Sequence, residues 1–406
     1  MENRTSVPPR STVTLDTVKG DLSMGRHSTA NGTGTPAKVR VAGTVYCEGG
    51  NTFACSLSAE NLEAEGDVVV RGDLEIEDKV EVEDGRLEVY GNVTSKYIDV
   101  DHALFAGRDL VSEEIDVGGS LQTDGKAKAK NIDVGGSFKV KGELEADDID
   151  VGGSLSAEAK TNIRKLDVGG AAKVAGGKIL KVDVGGSFES TDELEFESID
   201  VGGTVLLTKK NRGGRVSVGG SFRVEGDLTF EDIDVGGRAE INGSSEGDKV
   251  DVGGILEVNG PLKLSGRLEV GGKVEANCEV SAENIEVGGI LRANKVTAQG
   301  HAEVGGLVDT KEGVTTRSFE IGKDGEVRGP LRADEVDIGK EARVGDIFGK
   351  RILLRRGARA ENVYGDSITI ESHCRINGVV QYMSELRLGD DVSLAEAPQK
   401  VDRIPF

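Results

Sequence analysis

Large aromatic side chains are scarce in this chain of 406 residues, which has no Trp, 10 Phe and 5 Tyr. So few bulky residues exclude a wide globular core, because nothing would fill its centre. The 59 Gly residues, together with many Val and Ile, favour instead a narrow core with frequent tight turns. The composition therefore indicates a repetitive β architecture.

Cysteine pairs and long apolar runs are also missing. Cys47, Cys55, Cys278 and Cys374 have no CxxC spacing, so neither a zinc site nor a disulfide framework is indicated, and we interpret them as reduced thiols. No stretch approaches the length of an apolar membrane span, and the N-terminal sequence lacks the apolar segment of a signal peptide. We expect a soluble, cytoplasmic protein that makes no membrane contact.

Positive charge is in the minority, since 50 Lys and Arg face 72 Asp and Glu, for a formal net charge of −22. An acidic surface repels the phosphate backbone, which excludes general nucleic-acid binding. One basic patch interrupts this background, at Arg351, Arg355, Arg356 and Arg359. A solvated surface is the simplest interpretation; the alternatives are docking of an acidic part of another subunit and contact with RNA or anionic lipid.

Catalytic signatures are absent from the sequence. There is no nucleophile elbow, P-loop or HExxH motif, and His27, His102, His301 and His373 lie far apart along the chain. The pattern predicts no enzyme activity, no catalytic residue, no cofactor and no metal. A relative of the hexapeptide acyltransferases would need trimers and an active-site His between chains.

What the sequence does contain is one motif, repeated as IDVGG or a close variant. Its Val returns with a nearly constant period of about 17 residues, which is too short for a pair of helices and fits one coil of a β-solenoid. Most intervals are equal, one is a residue shorter and one is a residue longer. The recurring residues are Val117, Val134, Val151, Val168, Val184, Val201, Val218, Val235, Val252, Val270, Val287 and Val304.

One repeat, SFRVEGDLTFEDIDVGG at residues 221–237, carries three pairs of apolar residues two positions apart. Each pair predicts a short strand with one inward face, and the intervening Gly and acidic residues predict corners, with Gly able to adopt positive φ. The pairs are Phe222 with Val224, Leu228 with Phe230, and Ile233 with Val235. We expect an all-β fold, a single long parallel β-helix of about 20 coils and roughly 100 Å. The right-handed form is favoured, because a left-handed hexapeptide solenoid needs small apolar residues at every sixth position, which most repeats lack.

Both ends of such a solenoid matter for function. We assign residues 1–11 to a disordered tail, 12–395 to the solenoid with a loop at 26–38, and 396–406 to a C-terminal tail too short to form a capping helix. Uncapped coils expose unpaired backbone groups and invite stacking on another subunit. The predicted polymerisation interface comprises Val39, Val41 and Val45 at one end, Leu386, Leu388, Val392 and Leu394 at the other, and Ile404 and Phe406 as a partial cap.

The residue between the two inward positions of IDV points to solvent and is acidic in most repeats. Stacked coils would align these carboxylates into a ladder: Asp116, Asp133, Asp150, Asp167, Asp183, Asp200, Asp234 and Asp251. The simplest interpretation is a solvated face that prevents sideways aggregation. The alternative is contact with divalent cations or with a basic partner.

The C-terminal repeats resemble the bactofilins, a family of polymer-forming cytoskeletal β-helices. The resemblance is most literal over residues 320–394, in runs such as VDIG at 336–339 and ITI at 368–370, and looser over 68–306. It implies a right-handed rod that polymerises end to end without a nucleotide. This array is several times longer than a typical member, and its N-terminal tail lacks an apolar anchor.

We therefore expect a structural scaffold protein that assembles with itself into nucleotide-independent filaments or sheets, and that also contacts other proteins which the scaffold serves. The alternative is a β-solenoid spacer or binding module that does not polymerise and uses its acidic face to hold cations or a basic partner.

Overall fold

The computed structural model describes residues 4–404. Over that range the protein is all-β without a helix, and its parallel strands stack as a β-solenoid of about 23 turns with ~17 residues per turn. The predicted fold class is confirmed, with slightly more turns than expected. The chain divides into two compact units, Met1–Gly203 and Thr204–Phe406.

In the first unit, most coils contribute three short strands that pair in parallel with the equivalent strands of the next coil. One coil consists of Glu114–Val117, Ser120–Thr123 and Ala127–Lys128. The next begins with Asn131–Val134, and Ile115 aligns with Ile132 across the pair. The inward side chains are closed to solvent, as alternation at period 2 requires. In three coils two strands merge into one longer strand: Leu144–Val151, Thr161–Val168 and Gly177–Val184.

The second unit follows the same pattern. The repeat at residues 221–237 forms the strands Ser221–Val224, Leu228–Thr229 and Asp232–Val235, and its six apolar residues are buried. Its last coils use one long strand and one short strand each. The long strands are Val314–Ile321, Leu331–Ile338, Ile347–Leu354, Val363–Ile370 and Val380–Leu388.

Glycine is required at the Gly-Gly corners for a different physical reason from the positive φ that was expected. None of the described glycines in these motif pairs adopts a positive φ; the constraint is close approach between coils. A Cβ on Gly135 would lie 2.2 Å from the carbonyl oxygen of Gly118, and one on Gly136 would lie 2.5 Å from that of Gly119. The same amides donate hydrogen bonds to the previous coil, from Gly136 N to Gly119 O at 2.9 Å. Glycine is therefore required because a side chain would separate the coils.

Left-handed backbone does occur at the corners of the last coils, where the second Gly of the motif is replaced. Asp324, Glu341, Gly357 and His373 occupy corresponding corners with φ between 57° and 75°. These corners are longer than Gly-Gly, since Ile321 and Glu326 bracket the whole turn. The loosened motif after residue 306 thus reflects another corner geometry within the same solenoid.

The N-terminal boundary of the solenoid was predicted wrongly. The segment Thr5–Val7, assigned to a disordered tail, is a strand that pairs with Leu22–Met24, and Val7 is buried. Its Ser, Thr and Pro content indicated disorder, but the residue that packs inward is apolar. The loop predicted at 26–38 also contains a strand, Thr29–Asn31.

The assignment of Val39, Val41 and Val45 to a terminal interface is wrong for the same reason. The strand Lys38–Val41 lies between Thr17–Val18 and Ser56–Ala59, so it has a coil on either side. Val45 pairs with Leu22 on one side and Leu62 on the other. All three side chains are buried in the core.

The segment assigned to the C-terminal tail is partly ordered on the last coil. Gln399–Lys400 forms a strand that pairs with Gln381 and Tyr382, and Ile404 is buried. Phe406, predicted to cap the same coil, lies outside the described residues.

Candidate assembly interfaces

The last coil of the second unit is only half covered. Its long strand Val380–Leu388 pairs along its length with Val363–Ile370, but on its other side only Gln381 and Tyr382 have partners, from Gln399–Lys400. The stretch from Glu385 to Leu388 has no further strand on that side among residues 4–404. Its outer backbone groups are therefore an unpaired edge.

Apolar side chains that are buried in inner coils are exposed on this edge. Leu388 is 47% exposed, whereas Ile370, its partner one coil earlier, is 1% exposed. Leu386, Val392 and Leu394 are half-buried. These four residues are the ones predicted for the C-terminal interface, and all four lie in the last coil.

The first coil of the first unit has a second edge. Its strands Thr5–Val7, Thr12–Thr14 and Thr17–Val18 pair only with the following coil among the described residues. Val7 and Val18 are buried, and Val13 is half-buried. This end exposes unpaired backbone but less apolar surface than the last coil. It forms the N-terminal edge, in place of the three valines predicted from the sequence.

The predicted acidic ladder is present in both units. In the first, Asp116 aligns with Asp133, Asp133 with Asp150, and the column continues through Asp167, Asp183 and Asp200. In the second, Asp234 aligns with Asp251. Only Asp167 among these eight forms an ion pair within the described chain, with Lys165 at 3.7 Å.

The ladder places like charges close together. Partial burial raises the pKa of Asp116, and the neighbouring carboxylates of Asp133 and Asp99 raise it further. The pKa of Asp150 is raised in the same way, by burial and then by Asp167 and Asp133. Charges one coil apart, about 4.8 Å, repel by about 1 kcal/mol in water. Ionisation of Asp116 and of Asp150 is thus mildly unfavourable.

Neighbouring carboxylates neutralise half of the basic patch predicted from the sequence. Arg355 binds Asp337 through two hydrogen bonds, Nε to Oδ1 at 2.7 Å and Nη2 to Oδ2 at 2.6 Å. Arg351 forms an ion pair with Glu335. The side chains of Arg356 and Arg359 form no ion pair with a described residue, so only these two of the four are available to a partner.

Arg359 of the basic patch also belongs to a column of arginines that was not predicted from the sequence. Arg343, Arg359 and Arg375 align across three consecutive coils and are exposed. Successive members lie one position closer together than in the Gly-Gly repeats, because the coils in this region are one residue shorter. A search at the period of the Gly-Gly repeats therefore does not align them, whereas a search at the shorter local period would.

One group of metal-binding residue types also comes together. His301, Glu303 and Glu320 have donor atoms within 4.8 Å of one another, and the Nε2 of His301 lies 3.7 Å from the Oε2 of Glu303. Glu303 and Glu320 are exposed, His301 is half-buried, and no described side chain holds the three in a fixed arrangement. No metal site was predicted from the sequence, in which His301 lies far from the other histidines.

Comparison with known proteins gave no match to a family model, a curated protein or a solved structure. The resemblance to bactofilins and the expectation of a non-enzymatic protein accordingly stay predictions. Among residues 4–404, no helix has the length and apolar character needed to cross a membrane.

Proposed function

We propose that this protein is a structural scaffold whose copies associate end to end into filaments without a nucleotide, in the manner of the bactofilins it resembles. The observation that carries the proposal is the half-covered last coil, with Leu388 exposed beside an unpaired backbone edge. A strand from a second copy would continue the parallel pairing and cover the leucine.

Two contributions favour that association. Full burial of a Leu side chain contributes about 1.5–3 kcal/mol, and Leu388 would gain roughly half of this because it is already half covered. Edge-strand addition supplies the second contribution, since a row of main-chain hydrogen bonds forms with the incoming strand. The Thr5–Val7 coil of another copy offers the complementary unpaired edge.

The test is negative-stain electron microscopy of the purified full chain without nucleotide, beside its Leu388→Lys variant. We expect filaments from the wild type and dispersed particles from the variant, because a lysine ammonium would have to be desolvated in the contact. Val111→Lys is the matched control. Val111 is 40% exposed, but its strand has neighbours on both sides, so filaments should persist.

Three results would count against the proposal: dispersed wild-type particles, filaments that survive Leu388→Lys, or filaments lost equally in the Val111 control. Dispersed wild-type particles would favour the alternative of a spacer or binding module. Circular dichroism and a thermal melt of each variant distinguish loss of association from loss of folding.

A further inference from the structure

The arginine column, Arg343, Arg359 and Arg375, is a strongly charged surface on the second unit. The three strands that carry it are in parallel register, so the side chains emerge one coil apart, about 4.8 Å. None of the three forms an ion pair with a described residue. Glu326, which aligns with Arg343, is instead bound by Arg328 at 2.8 Å.

Several other cations of these coils are matched with carboxylates one coil away: Lys350 with Asp334 at 2.9 Å, Arg355 with Asp337 at 2.6 Å, and Arg351 with Glu335. Arg356 also forms no ion pair with a described residue, but it does not belong to the column. In a chain with a formal charge of −22, acidic partners are abundant. Three unpaired arginines in one column therefore form a local positive surface that repels itself and attracts anions.

A surface of the opposite charge with the same spacing exists in the first unit. Asp116, Asp133 and Asp150 are exposed and in register across three consecutive coils, and none of them has an ion pair within the described chain. Because both columns follow the coil spacing of a parallel solenoid, three arginines of one copy can face three aspartates of another without a mismatch in spacing.

We propose that the arginine column of one copy binds the Asp116–Asp133–Asp150 column of a second copy, side to side. This inference goes beyond end-to-end association, because it uses side surfaces and charge rather than the terminal coil. The contact joins the second unit of one chain to the first unit of another. It also relieves the like-charge repulsion within both columns.

Charge reversal with complementation tests the contact, in full-length Leu388→Lys protein so that end-to-end growth does not mask it. One variant carries Arg343→Glu, Arg359→Glu and Arg375→Glu, and the other carries Asp116→Arg, Asp133→Arg and Asp150→Arg. In sedimentation velocity at roughly 0.05 M salt, the parent should associate, and each variant alone should associate at least about tenfold more weakly. An equimolar mixture of the two variants should regain association, because the unaltered arginines of the second variant then face the unaltered aspartates of the first, and the introduced glutamates face the introduced arginines.

A control variant changes three exposed arginines that lie outside any column, Arg40→Glu, Arg108→Glu and Arg317→Glu, with the same change in net charge. It should associate like the parent. Association of the parent should disappear at roughly 1 M salt, where the Debye length is about 3 Å.

The proposal is overturned if the parent does not associate at low salt, if the mixture does not recover, or if the control loses association equally. Titration with a single-stranded RNA homopolymer provides the remaining arm. RNA binding that depends on the three arginines, with no association between copies, would mean that the partner of the column is a nucleic acid and not a second copy.

Discussion

A single methyl group at a Gly-Gly corner should weaken the contact between coils measurably, and Gly152→Ala is the clearest case. The added Cβ would lie 2.4 Å from the carbonyl oxygen of Gly135, whereas ordinary contact begins at 3.4 Å. The two coils must therefore separate locally by about 1 Å to restore normal van der Waals contact. That movement stretches the bonds from Gly152 N to Val134 O and from Gly153 N to Gly136 O, both 2.9 Å, beyond hydrogen-bonding range.

The expected magnitude follows from those two bonds. Each contributes about 1 kcal/mol net, and the lower entropy of the unfolded alanine chain returns about 0.4–1 kcal/mol. We expect Gly152→Ala to destabilise the corner by about 1–2 kcal/mol. Because a repeat array opens locally, native-state hydrogen exchange is the appropriate assay, and amides of Leu144–Val151 and Thr161–Val168 should exchange roughly five to thirty times faster.

Gly345→Ala is the matched control. A Cβ at Gly345 would meet nothing closer than the carbonyl oxygen of Gly329 at 3.5 Å, and its φ is not positive. This variant should be neutral or stabilised by up to about 1 kcal/mol. Unchanged exchange in Gly152→Ala, or equal acceleration in both variants, would refute close approach as the reason for the Gly-Gly repeat.

Two further predictions concern ionisation. Asp116 has a raised pKa in the folded state, so its ionised form opposes folding; that cost is absent below pH 3.8 and complete above the raised pKa. Asp116→Asn should therefore raise the free energy of unfolding at pH 7 by roughly 0.2–1 kcal/mol in urea titrations, and this gain should vanish in acid. Glu113→Gln removes a carboxylate whose pKa is lowered by Lys130, so it should lower the free energy of unfolding instead. A change of the same sign in both variants would contradict the argument. The cysteines are all free; Cys278 is partly exposed, whereas burial raises the pKa of the Cys47 thiol. A thiol-specific reagent should therefore modify Cys278 first in native protein, as detected by mass spectrometry. Early modification of Cys47 would mean that its coil opens.

The solenoid was predictable because its pattern is local and repeated. Alternation such as Ile115 and Val117 around Asp116 determines which side chains are inward, and a nearly constant period aligns successive coils. The acidic ladder follows from the same two facts. For these features, secondary structure, register and exposure all derive from one repeated sequence motif.

The ends of the solenoid were not predictable in the same way, because their sequences depart from that motif. Val7 lies among Ser, Thr and Pro residues whose composition indicates disorder, yet its inward side chain joins the first coil. Adding that coil moves Val39 into the interior. The arginine column was missed because the period becomes one residue shorter around Arg343, and a column is visible only when the local period is known.

The two proposed contacts depend on different forces, so salt separates them. The proposed end-to-end stacking would bury Leu388 and pair backbone groups, and apolar burial is not weakened by ionic screening. The lateral contact depends on exposed charges, which screening weakens at and above physiological ionic strength. Rising salt should therefore convert laterally joined filaments into single ones before it shortens them. Filaments that shorten first would mean that charge, rather than the exposed edge of the last coil, holds the ends together.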